Sequence, residues 1–376
     1  MRRYVIKVGS NILTNARGEL AQAPTQRLVD QIAELHRGGA EVAIVSSGAV
    51  AAARSRFPEL RRRPDLPAKQ MLAAIGQVRL MQLYDRLFSG NRIPIAQALL
   101  TRGDLGTRRG YLNARSTLLG LLRHRIVPII NENDVVATDE LKFGENDTLS
   151  AIVAGLVDAG MLVILTDIDG LYTADPRCDP TATLIRRVPA VNAQIERLAG
   201  GAGSKHGTGG MITKLRAARL ATAAGIPTVI ADGRCDRAVA GAIAGDIGTL
   251  FLATGTGLDA RRRWLRAHLG SRGAVIIDDG AAQALRRQGP SLLAAGVIDV
   301  QGRFFHGEPV EVRDRHGFVV GYGVSNYSAA DVARIRGAHS DTISSVLGYN
   351  RGDEVIHRDN LVIVPLEGEH PQEIPV

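Results

Sequence analysis

Apolar, β-branched runs recur along the chain, each closed by a polar or glycine-rich turn. They are YVIKVG (4–9), EVAIVSSG (41–48), IPIAQALL (93–100), IVPIINEN (126–133), MLVILTDIDG (161–170) and IPTVIADG (226–233). The runs are continuous rather than alternating, which predicts strands buried on both faces. Helical patterns separate most of them, for example QRLVDQIAELHRGG (26–39) and DTLSAIVAGLVDAG (147–160). Strand and helix in alternation predict an α/β fold, a mainly parallel sheet sandwiched by helices. The pattern changes after about Ala260. DARRRWLRAHLGSRG (259–273) reads as a charged connector, and short β-like segments with frequent turns follow it. These predict a second, small β-rich domain. The final GEHPQEIPV reads as a frayed tail.

Composition narrows the class. No apolar run approaches the length of about 18 residues that a membrane helix needs, so no membrane span is expected. MRRYVIKVGS at the N-terminus reads as a first strand and not as a secretory signal. The two cysteines, Cys178 and Cys235, form no metal or redox motif, and such sparse thiols suggest a reducing, cytoplasmic setting. From Arg261 onward there are 14 basic and 14 acidic residues, so the first 260 residues carry the whole net charge of +8. A basic N-terminal region suits an anionic ligand such as a nucleotide. Lysine is rare beside arginine, with only Lys7, Lys69, Lys142, Lys205 and Lys214. Each lysine is therefore worth separate attention.

In open α/β sheets, ligands bind beyond the carboxyl ends of the strands. Those ends carry Lys7-Val8-Gly9-Ser10, Ser46-Ser47-Gly48-Ala49, Asn131-Glu132-Asn133-Asp134 and Thr166-Asp167. Any one of them taken alone reads more readily as turn or cap chemistry. Their agreement in position points to one shared crevice. Ser47-Gly48 can open a helix whose backbone N–H groups face an anion. A lysine at the end of a buried strand must be paired or must face a ligand. Asn146-Asp147-Thr148 precedes an apolar helix, and both a cap and an anion site fit it.

GTGGMITKL (207–215) is glycine-rich and ends on a lysine, yet it fits neither common phosphate-loop pattern. It lacks the Walker A order of glycine, lysine and hydroxyl residue, and it does not follow a strand as a dinucleotide fingerprint must. What remains is a glycine loop with Lys214 in the first turn of the next helix.

Together, KVGSN, VSSGAVAA, INENDVVA, GENDTLSA, LTDIDGLYTADPR and GTGGMITK resemble the bacterial glutamate 5-kinases, which have the amino-acid kinase fold. The resemblance runs from Tyr4 to about Gly257. From Gly273 to about Gly348, DDGAAQAL, GVIDVQGRFFHGEPVEV and GYGVSNYSAADVARIRG resemble the PUA domain attached to many of these enzymes. The domain plan is thus a catalytic domain over 1–258, a linker over 259–272, a PUA-like domain over 273–365 and a tail over 366–376. The family's first motif more often reads G-T-S where this chain has Gly9-Ser10-Asn11.

The resemblance implies phosphorylation of the side-chain carboxylate of L-glutamate by ATP with Mg2+, the opening step of proline biosynthesis. It implies that Lys7 and Lys214 contact the phosphates and that Asp147 organises the two lysines. Thr166 and Asp167, with Thr208, Gly209, Gly210, Met211, Ile212, Thr213 and Lys214, would line the nucleotide site. Ser47, Asp134 and Asn146 would bind glutamate. Feedback inhibition by proline and a homo-oligomer are implied as well. The PUA-like segment raises RNA as an alternative partner, but the zero net charge of residues 261–376 speaks against that. A kinase of the same fold acting on aspartate, N-acetylglutamate, carbamate or UMP is the other alternative.

Overall fold

Six strands form where the apolar runs predict them. In the computed structural model, which describes residues 2–61, 65–106, 108–136, 145–199, 210–254, 273–288 and 290–363, the chain divides into two units, Met1–Gly257 and Leu258–Val376. The six strands of the first unit are β1 (Arg3–Val8), β2 (Glu41–Ser46), β3 (Ile95–Leu100), β4 (Val127–Glu132), β5 (Met161–Thr166) and β7 (Thr228–Asp232). Two short strands not predicted from the sequence, β6 (Arg187–Val188) and β8 (Thr249–Phe251), complete an eight-stranded sheet. Its order is β3-β4-β2-β1-β5-β7-β8-β6, and every neighbouring pair is parallel except β7 with β8.

Helices cover both faces. They are α1 (Ser10–Leu13), α2 (Gln22–Arg37), α3 (Ala49–Arg54), α4 (Pro58–Arg61), α5 (Leu66–Gly90), α6 (Arg102–Gly106), α7 (Arg108–Arg123), α8 (Glu145–Leu156), α9 (Ala193–Ala199), α10 (Met211–Ala223) and α11 (Ala238–Ala244). Tyr4, Ile6 and Val8 of β1 join one core with α2 and α5, and Val5 joins the other with α8 and α10. A buried side chain of this size contributes about 1.5–3 kcal/mol, which is why continuous apolar runs settle inside the sheet. Lys7 has the parity of Val5, so it stands on the α8 and α10 side.

β3 departs from the sequence expectation. It is an edge strand with alternating exposure, and Gln97 and Leu99 are exposed. Helix α5 starts on Asp65, whose side chain accepts from the Ala68 N–H at 2.9 Å. It packs against α3 at Gly76. A Cβ there would lie 1.7 Å from the Ala49 carbonyl oxygen, so only glycine permits the approach.

The second unit is β-rich, as predicted. β9 (Gly273–Ile277), β11 (Val297–Gly302), β12 (Pro309–Asp314), β13 (Val319–Val324) and β15 (Leu361–Ile363) form a sheet in the order β11-β9-β12-β13-β15. β10 (Leu292–Leu293) and β14 (Glu354–Ile356) pair separately. Val275, Ile277, Val310, Val312 and Tyr327 are among its fully buried residues.

Candidate functional site

Three chain segments meet at the carboxyl end of β1. Lys7 is the penultimate residue of that strand, between its two neighbours β2 and β5. Asp147 lies in the first turn of α8, and Lys214 in the first turn of α10. The Lys7 Nζ is 2.7 Å from Asp147 Oδ1, and the Lys214 Nζ is 3.6 Å from Asp147 Oδ2. Thr213 donates its hydroxyl to the same Oδ2 at 2.7 Å. Lys7 and Lys214 are each 6% exposed and Asp147 is 2% exposed, so the charges interact with little screening by water. Burial pushes the Asp147 carboxyl up, but the lysine charges and the hydrogen bonds from Lys7 and Thr213 outweigh it and hold the pKa below the ordinary value. Burial lowers the Lys214 pKa, opposed by Asp147 and reinforced by Lys7.

One carboxylate facing two ammonium groups leaves one positive charge in excess at the bridge, and the Asp167 carboxylate also acts on Lys214. The start of α10 adds to the positive charge. Gly210 is its extended N-cap and among the described residues no side chain caps it, so the positive end of a 13-residue helix can face an anion. Met211 and Ile212 open this helix, with Ile212 exposed. Thr208 and Gly209 lie outside the described residues.

Thr166 and Asp167 follow β5. The Thr166 hydroxyl donates to Asp167 Oδ1 at 3.2 Å, and Asn11 Nδ2 donates to Asp167 Oδ2 at 2.7 Å. Asn11 is, with Ser10, one of two positions where the chain departs from the G-T-S form of the first motif, and it orients a residue of the expected nucleotide site. Burial raises the Asp167 pKa, but these hydrogen bonds and the Lys214 charge bring it below its ordinary value. Gly9 ties the end of β1 to this strand, donating its N–H to the Leu165 carbonyl at 3.0 Å.

A row of amides occupies the other side of Asp147. Asn146 Nδ2 donates to Ser47 Oγ at 3.1 Å, to the Ser46 carbonyl at 3.3 Å and to Asn131 Oδ1 at 3.0 Å. Asn131 Nδ2 donates in turn to Gln77 Oε1 of α5 at 2.9 Å. Ser47 precedes Gly48, whose φ of 104° lets the chain turn from β2 into α3. Asp134, two residues past β4, lines a cavity of about 260 Å3 with Gln77, Ala73, Glu132 and Asn133. Burial raises its pKa.

Gln77 is not among the residues the sequence reading assigns to the site, and Asn131 appears there only as part of a strand end, with no role given to it. Gln77 carries one signal there: it is the polar member of a helical stripe with Ala73, Leu80 and Tyr84. Among the described residues no group of three or more His, Cys, Asp or Glu side chains could hold a metal ion.

Such a site can neutralise a polyanion and hold a small zwitterion beside it. Comparison with known proteins narrows the chemistry. Residues 2–232 match the amino acid kinase family, and residues 273–347 match the PUA domain. The glutamate 5-kinase of Dehalococcoides mccartyi strain CBDB1 is 50% identical over 367 residues, covering 96% of this chain and 98% of its own. The glutamate 5-kinase of Citrifermentans bemidjiense is 48% identical over 365 residues, covering 97% and 98%. Among solved structures, the UMP kinase of Bacillus anthracis aligns with 68% of this chain and 97% of its own, with a TM-score of 0.49 at 16% identity.

Proposed function

The chain belongs to the amino acid kinase family, and we propose that it transfers the γ-phosphoryl group of ATP to the side-chain carboxylate of L-glutamate. The products are L-glutamyl 5-phosphate and ADP, and the reaction opens proline biosynthesis. Near-half identity to glutamate 5-kinases over almost the whole chain carries this reading, and the Lys7–Asp147–Lys214 bridge agrees with it.

The nucleophile is a carboxylate with a reference pKa of about 4.3, so it is ionised at neutral pH. No general base is required. Asp147, held between two lysines with a lowered pKa, is suited to placing charge and not to taking a proton. The barrier is the repulsion between a carboxylate and a triphosphate, which positioned cations relieve. Lys7 and Lys214 contact the phosphates, and the N-terminus of α10 adds its partial charge. Magnesium enters as part of the MgATP substrate, held mainly by phosphates and water. Thr166 and Asp167 line the nucleotide site. Ser47, Asn146 and Asp134 hold glutamate, with Asp134 taking its ammonium group.

An ADP-release assay with glutamate, aspartate, N-acetylglutamate, carbamate and UMP tests the reading. Turnover confined to glutamate is expected. Faster turnover of another acceptor overturns it.

Three further properties belong to the same proposal. Proline inhibits at or overlapping the glutamate site, so it should raise the apparent KM for glutamate. The chain works as a homo-oligomer in the cytoplasm. The open β3 edge with exposed Leu99 supports self-association, and light scattering at assay concentration tests it. Two free cysteines agree with a reducing compartment, and no helix of the described residues is long and apolar enough to cross a membrane.

A further inference from the structure

Gln77 occupies a buried position on α5, 8% exposed, beside the buried side chains of Ala73, Leu80 and Tyr84 on the same helix. A buried amide has both a donor and an acceptor to satisfy. Its Oε1 accepts from Asn131 Nδ2 at 2.9 Å. Its Nε2 is buried and meets no acceptor among the described residues.

This orientation cannot simply reverse, because backbone groups fix the row of amides. The Glu132 N–H donates to Asn131 Oδ1 at 2.9 Å, which sets that amide with its nitrogen toward Gln77. The Ser46 carbonyl, which can only accept, holds Asn146 with its nitrogen toward Asn131. Gln77 must therefore offer its oxygen to Asn131 and keep its NH2 for something else. The cavity behind β4 is what Gln77 lines, together with Asp134.

That cavity is smaller than the roughly 300–1,000 Å3 typical of sites for drug-sized ligands, and it suits a compact one. Its wall holds a donor that meets no acceptor among the described residues and a carboxylate whose pKa is raised by burial. A zwitterionic α-amino acid end is the complement of that pair: its carboxylate accepts and its ammonium donates.

We propose that Gln77 binds substrate, donating its Nε2–H to the α-carboxylate of glutamate while Asp134 receives the α-ammonium. The inference rests on the glutamate reading above and adds a recognition residue to it. The amino-acid end lies against α5, and the side-chain carboxylate extends past Asn146 and Ser47 toward Lys7. Gly76 places α5 against the start of α3, which keeps Gln77 beside the Ser46–Ala49 turn. An acceptor lacking the α-carboxylate leaves the Gln77 donor buried and unpaired, and this gives the site its selectivity.

The test compares L-glutamate with its α-amide, isoglutamine, as phosphoryl acceptors for wild type and Gln77→Glu. The variant keeps an oxygen for Asn131 but turns the donor into an acceptor. Wild type should prefer glutamate. In Gln77→Glu the ratio of kcat/KM for glutamate over isoglutamine should fall by about ten- to hundredfold or more, with the KM for ATP unchanged. An unchanged ratio in a variant with wild-type KM for ATP overturns the role of Gln77 and leaves the glutamate reading intact. Absence of glutamate turnover in wild type overturns both. Should Gln77→Glu not fold, Gln77→Met carries the test through competitive inhibition. It should weaken glutamate binding about tenfold or more and leave inhibition by 4-aminobutyrate, which lacks the α-carboxylate, unchanged. Equal weakening of both ligands overturns the proposal.

Discussion

Lys7 and Asp147 form an ion pair of 2.7 Å in which neither side chain is more than 8% exposed. Such a pair is costly to form and more costly to break, because removing one partner strands the other charge in a poor solvent. Here a second buried ammonium, that of Lys214, leans on the same carboxylate. Asp147→Ala should therefore lose about 3–5 kcal/mol of folding stability. Denaturant titration measures this, and a loss below about 1 kcal/mol would show that water reaches the pair.

Lys214→Ala separates charge stabilisation from scaffolding. Loss of one preorganised group of this kind lowers kcat on the order of 100-fold or more. Steady-state ADP release with saturating glutamate reads the effect. A mutant retaining full activity would remove Lys214 from the phosphoryl-transfer site.

The two ionisable partners give opposite pH limbs. Asp147 has a folded pKa below the ordinary 3.8, so its contribution to stability is present above that pH and is lost as pH falls through the folded value. The stability difference between wild type and Asp147→Asn should shrink as pH drops below about 4. Burial lowers the Lys214 pKa from 10.5, so kcat should decline on the alkaline side before pH 10.5 is reached. Lys214→Arg should move that limb upward, because a guanidinium stays charged. A limb that does not move assigns it to another group.

Asp134→Asn tests recognition of the ammonium. Loss of the charged partner should raise the KM for glutamate by about ten- to hundredfold with little change in kcat. Discrimination against N-acetylglutamate, which has no ammonium, should narrow in parallel. Retained discrimination would place the ammonium elsewhere.

Gly76→Ala would put a methyl group 1.7 Å from the Ala49 carbonyl. Helices α3 and α5 must then part, and overpacking of this kind costs about 1–3 kcal/mol or more. Calorimetry should show a lower Tm, and an unchanged Tm would mean that the helix pair yields without strain.

The sheet was legible because burial on two faces leaves continuous apolar runs in the sequence. β6 and β8 were not, since two and three residues make no periodic signal. β3 reads as a buried strand although it is an edge, because edge position is set by the order of strands and not by local composition. Lys7 and Lys214 stand out as rare lysines at a strand end and a glycine-loop helix. Gln77 does not, since an unpaired amide nitrogen exists only once Asn131 has claimed the oxygen. Asn11 reads as a mild departure from a motif, and its hydrogen bond to Asp167 depends on a strand far along the chain.

The bridge at Asp147 also bears on how the chain acquires activity. Its members come from the first strand, from the middle of the catalytic unit and from the helix after the glycine loop. Their contacts span most of that unit, and such non-local closure is slow to form during folding. A chain emerging from the ribosome has two of the three charges long before the third. ATP binding should therefore return with the slowest kinetic phase of refolding, well after the helical signal, and nucleotide fluorescence followed beside circular dichroism can measure the lag.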